Sequence, residues 1–120
     1  MADHRKFSRL AVTPEPNGRD WRLLEPLSFG DLAVPEGFVT DFASIPRALW
    51  AIYPPNGKWA PAAVLHDFLY RTGTRTRAEA DALFLAGMAV LRVPVARRFV
   101  MYLAVRCFGW SSWRGTRGTR

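Results

Sequence analysis

A histidine and two aspartates carry most of the chemistry available to this chain. His66 and Asp67 stand side by side in Leu65-His66-Asp67-Phe68-Leu69-Tyr70, and Asp81 follows fifteen residues after His66. A carboxylate that orients an imidazole, beside a second that can hold a cation, is an arrangement that activates water. The same trio can instead tie two helices together. Ala62, His66 and Tyr70 are spaced by four and share one helix face, with Leu65 and Leu69 beside it. Asp81 sits among Ala80, Leu83, Phe84 and Met88, again on an otherwise apolar helix. Acids in such surroundings need a partner or a cation. Asp41, ahead of Ser44-Ile45-Pro46, is a third acid at an element boundary. His66, Asp67 and Asp81, with Asp41, have the residue types for zinc or another divalent cation, although their spacing follows no standard metal box. Asp41, Ser44 and His66 supply the types of a hydrolytic triad. No nucleophile-elbow glycines surround Ser44, however, and capping the next helix suits it better.

Helices must bring these groups together. Pro61 opens one that runs to about Thr72, with Gly73 as its stop. Thr76-Arg77-Ala78-Glu79 has the form of a capping box, so the next helix starts at Arg77 and continues to about Leu91. Pro94 begins another, with Val95, Phe99, Tyr102, Leu103 and Arg106 on one face and its margin, and Gly109 ends it. A shorter helix over 47–52 is expected ahead of them, closed by Tyr53-Pro54-Pro55-Asn56-Gly57. The first third has the punctuation of β structure. Weak alternation over 7–12, a turn cluster over 14–18, and apolar runs at 21–24, 32–34 and 38–40 predict three or four short strands, mostly antiparallel. The expected architecture is α+β: a small N-terminal antiparallel β region followed by a short helix and three longer helices. It forms one domain over 1–109, with a basic, flexible C-terminal tail over 110–120.

Composition fits a single small globular domain. Of the 120 residues, 49% are hydrophobic and 22% charged, with a net charge of +7. Arg114, Arg117 and Arg120 fall in the tail, and Arg71, Arg75 and Arg77 crowd one helix connection. This balance favours an anionic partner: nucleic acid, phospholipid headgroups or an acidic protein surface. The single cysteine, Cys107, excludes an internal disulfide and is read as a small buried hydrophobe. No signal peptide is expected at the N-terminus. The apolar region from Phe99 to Trp110 is interrupted by Arg106 and too short to span a membrane. Trp21, Trp50 and Trp59 are assigned to the core, whereas Trp110 and Trp113, beside Arg114 and Arg117, are free to meet a partner.

Two stretches carry a resemblance. They are Val34-Pro35-Glu36-Gly37-Phe38-Val39-Thr40-Asp41-Phe42-Ala43-Ser44-Ile45-Pro46 and Ala60-Pro61-Ala62-Ala63-Val64-Leu65-His66-Asp67-Phe68-Leu69-Tyr70. With the Ala80-Asp81 pair and the helix over 94–108, the sequence resembles a family of small uncharacterised proteins encoded by tailed phages and prophages. That resemblance implies action in a bacterial cell or a virion, and no particular activity. A more local resemblance concerns mechanism. His66-Asp67-x-x-Tyr70 with Ala80-Asp81-x-x-Phe84 is similar to the active-site helices of secreted and parvoviral phospholipases A2. It implies His66 as general base, Asp67 as calcium ligand, Asp81 as the group orienting His66, and Tyr70 as a hydrogen-bonding support. Those enzymes complete the calcium shell with a glycine-rich loop. The candidate here, Tyr53-Pro54-Pro55-Asn56-Gly57, has one glycine and two prolines.

Three function classes follow. The first is a non-enzymatic accessory or virion-associated protein in which His66, Asp67, Asp81 and Asp41 brace the helices. Its partner would be a phage or host protein, or an anionic surface. The second is a small metal-assisted hydrolase, using calcium or another divalent cation, that acts on phospholipid during entry or lysis; it requires an open cleft at His66. The third is a nucleic-acid-binding module using Trp110, Trp113, Arg114 and Arg117. The host cytoplasm or the virion is the expected location.

Overall fold

In the computed structural model, residues 6–18, 20–40 and 58–108 are described. The expected helix over 47–52, Asp41, Ser44, the Tyr53–Gly57 loop and the tail with Trp110, Trp113, Arg114 and Arg117 lie outside the described residues.

The N-terminal region is wholly antiparallel in its described pairings. β1 (Val12–Pro14), β2 (Trp21–Leu23) and β5 (Val39–Thr40) form one sheet in the order β1-β2-β5, and β3 (Leu27–Phe29) pairs with β4 (Leu32–Val34). Five short strands thus replace the three or four expected. β3 escapes notice because three residues between Pro26 and Gly30 offer only one alternation. The first strand starts at Val12 rather than Phe7, and Pro14, expected in a turn, ends it. Phe7 contributes only an isolated bridge to Phe29, with the two rings stacked 4.3 Å apart.

Three helices follow, α1 (Ala60–Thr72), α2 (Arg77–Val90) and α3 (Val95–Phe108), so the fold is α+β as expected. Pro61 sits in the first turn of α1, and Gly73 caps its end in the left-handed region at φ 63°, donating to the Leu69 carbonyl. The Thr76–Glu79 capping box forms in both directions and starts α2. α1 is the central element. Ala62, Ala63, Val64, Leu65 and Leu69 are all buried, because α2 covers one side while β4 and β5 cover another. α3 packs on α2 through Met101, Ala104 and Val105. Cys107 is exposed, which corrects its reading as a buried residue: it lies on the side of α3 turned away from those three. Among the described residues no helix is long and apolar enough to cross a membrane.

Candidate functional site

His66 and Asp81 meet inside the helical layer. The i, i+4 register of α1 places His66 and Tyr70 on the face turned to α2, where Asp81 occupies a position otherwise filled by apolar side chains. His66 Nε2 lies 2.6 Å from Asp81 Oδ1, and the Tyr70 hydroxyl donates to the same oxygen at 2.5 Å. Arg106, from α3, donates to Oδ2 at 2.8 Å. Asp81 is 0% exposed and His66 2%. The imidazole is held on its flanks by the rings of Tyr70 and Phe84, whose centroids lie 4.1 and 4.9 Å away.

A second arginine closes the network. Arg77 Nε donates to the Tyr70 hydroxyl at 3.2 Å, while its Nη2 reaches the carbonyls of Val105 and Arg106 near the end of α3. A guanidinium at these carbonyls, in the last turn of α3 as described, complements the negative end of the helix dipole.

The electrostatics follow from burial and donor count. Burial drives the Asp81 carboxyl toward its neutral form, but the hydrogen bonds from His66, Tyr70 and Arg106 outweigh it, leaving the carboxyl below the usual aspartate range. The Tyr70 phenol is pushed up, first by burial and then by its bond to Asp81, so it remains a donor at neutral pH. The Asp81 contact also raises Arg106.

Asp67 belongs to a different junction. One step along α1 turns its side chain toward the sheet, where Oδ2 accepts from the Thr40 hydroxyl at 2.8 Å and Oδ1 lies 3.2 Å from Arg71 Nε. Arg71 also donates to the Val39 carbonyl at 2.7 Å and lies over the Phe38 ring. Arg71 thus forms an i, i+4 ion pair with Asp67 and ties the same carboxylate to the β5 edge. Among the described residues no cluster of three or more His, Cys, Asp or Glu could hold a metal ion.

The structure therefore brings together His66, Tyr70 and Asp81, and separates Asp67 from them. Asp41 and the Trp110, Trp113, Arg114 and Arg117 group lie outside the described residues. Sequence reasoning did not place Arg106, Arg77, Thr40 or Arg71 in either cluster. No local signal marks them: α3 carries Arg97 and Arg98 as well as Arg106, and arginines on a helix are ordinarily solvated.

Comparison with known proteins adds a family. The family described as "Protein of unknown function (DUF1353)" matches residues 21–105. The chain belongs to it. The match runs from β2 into α3, so it includes His66, Tyr70, Arg77 and Asp81 and stops one residue before Arg106. "Uncharacterized protein y4jT" of Sinorhizobium fredii (strain NBRC 101917 / NGR234) is 34% identical over 97 residues, which is 79% of this chain and 26% of that protein. The chain thus spans about a quarter of the length of that relative. No solved structure matches it significantly.

Proposed function

We propose that the chain is a phage- or prophage-encoded accessory or virion-associated protein that acts by binding, and that the His66–Asp81 centre braces its three helices. The phage origin rests on the resemblance of residues 34–46 and 60–70. The bracing role is supported by one observation above all: a fully buried Asp81 accepts from donors on α1 and on α3 while itself standing on α2. A carboxylate so placed recovers the hydration it loses only if all three helices are docked. An imidazole 2% exposed is poorly placed to meet water and an ester together.

A second reading, a small hydrolase, is favoured by the orientation of the ring. Asp81 fixes Nε2 and two aromatic rings fix the plane, which is how a general base is held. In that reading Nδ1 takes the proton from water.

His66→Gln distinguishes the two, since its amide can still donate to Asp81. Under the bracing role the variant stays folded, melts lower, and leaves any activity on phospholipid or short-chain ester vesicles at the level of the parent. A folded variant that loses a measurable parental hydrolysis would establish the hydrolase instead.

A further inference from the structure

Among the described residues, the large exposed apolar side chains are concentrated on one helix. Of the five large ones exposed among the described residues, Val95, Phe99, Val100 and Leu103 all lie on α3, and Leu24 lies elsewhere. At helical spacing they form one stripe, which the exposed Cys107 continues by a turn. Phe99 and Leu103 retain 47% and 57% of their surface in water. A contiguous row of this kind marks a contact surface.

Charge indicates what the row meets. All ten acidic residues lie at or before Asp81, together with ten of the seventeen basic ones. Residues 82–120 hold seven arginines and no acid, so the net charge of +7 belongs to this part of the chain. Arg92 and Arg97 are exposed at the start of α3. Arg106 falls within the stripe by helical position, yet its guanidinium is drawn to Asp81, which keeps the stripe apolar. Two such faces repel each other, which disfavours a second copy as the occupant. Nucleic acid would match the arginines but leave Phe99, Val100 and Leu103 without a role. A bilayer surface accommodates both, with apolar side chains entering the acyl boundary while arginines meet anionic headgroups. The fourteen residues of α3 extend about 21 Å, enough to lie along such an interface.

We propose that the outward face of α3 docks on a membrane surface rich in anionic phospholipid. This deepens the binding role proposed above by naming what is bound. The full chain is floated with vesicles of phosphatidylglycerol and phosphatidylcholine in equal parts, and with vesicles of phosphatidylcholine alone. Binding to the anionic vesicles is expected to be about tenfold tighter or more, and to weaken in high salt. Phe99→Gln with Leu103→Gln, at exposed positions that leave the core intact, is expected to weaken it about tenfold or more.

Equal binding to both vesicles, no flotation, or binding unchanged by the paired substitution overturns the proposal. So does a dimer in solution that the paired substitution dissolves, or duplex DNA bound as tightly as the vesicles at equal phosphate. Failure to float leaves the brace standing. Anionic-selective flotation accompanied by release of fatty acid supports the docking face while removing the non-catalytic role.

Discussion

Arg106 Nη1 lies 2.8 Å from Asp81 Oδ2, joining α3 to α2 across twenty-five residues of chain. His66 and Tyr70 join α1 to the other oxygen of the same carboxylate. One side chain is therefore the meeting point of three helices. Hydrophobic packing brings such helices near one another; the carboxylate and its donors specify how they are rotated.

Breaking that junction has a defined signature. Asp81→Asn is expected to destabilise the fold by about 3 kcal/mol, because Arg106 and His66 lose their charged acceptor. Arg106→Met, at a partly exposed position, is expected to cost about 1–2 kcal/mol. Urea unfolding of both single variants and the double variant measures their coupling, expected at about 1–2 kcal/mol. Strictly additive effects would mean that the contact carries no energy and that the brace is wrongly placed.

The same carboxylate sets an acid limb. Asp81 has a folded pKa below its ordinary value, so its contribution is complete above the usual aspartate range, about pH 4, and is lost as pH falls through the folded value. Glu79 is lowered as well, by the Thr76 backbone and hydroxyl, and acts in the same direction. The melting temperature is thus expected to fall from about pH 5 toward pH 2. Asp81→Asn should flatten that slope while the Glu79 contribution remains. An unchanged slope would show that Asp81 is not ionised in the fold.

Local signals were legible in the sequence, and long-range ones were not. The Thr76–Glu79 box and Gly73 announce helix ends because their chemistry is complete within a few residues. His66 and Asp81 could be paired from sequence, since each is an ionisable group on an apolar face. Arg106 could not, because an arginine on a helix is ordinarily a solvated one and nothing near it names a partner on α2. Asp67 adjoins His66 in sequence, yet neighbouring side chains on a helix diverge by about 100°. Its partner, Thr40, lies twenty-seven residues back on β5. The exposure of Cys107 is hidden for a related reason: hydrophobicity alone does not say which side of α3 is the outer one.

Thr40 tests the second junction. Its hydroxyl is buried and donates to Asp67, so Thr40→Val keeps the shape and removes the donor. The expected loss is about 1–3 kcal/mol, since a buried carboxylate is left with less compensation. Thr40→Ser restores the donor and loses only a methyl group, at about 1 kcal/mol. If thermal melting places the serine variant below the valine variant, packing rather than hydrogen bonding secures Asp67.

Gly87 limits how closely α1 and α2 approach. A Cβ at this position would meet Phe7 Cζ at 3.0 Å and Ala62 Cβ at 3.1 Å. The phenyl ring is the far end of a side chain and can shift. The Ala62 methyl is fixed to the backbone of α1, so relief requires the two helices to separate. Gly87→Ala would gain about 1 kcal/mol of helix propensity in isolation. Overpacking opposes this by about 1–3 kcal/mol, and because α2 also carries Asp81, any separation lengthens the His66 contact. The variant is therefore expected to be less stable than the parent by about 1 kcal/mol, despite the better helix former. Moving the methyl across the interface is the decisive control. Ala62→Gly combined with Gly87→Ala restores the space between the helices, so the double variant should be more stable than the sum of the single effects requires. Additive losses would place the strain at Phe7 and leave the helix spacing to be set elsewhere.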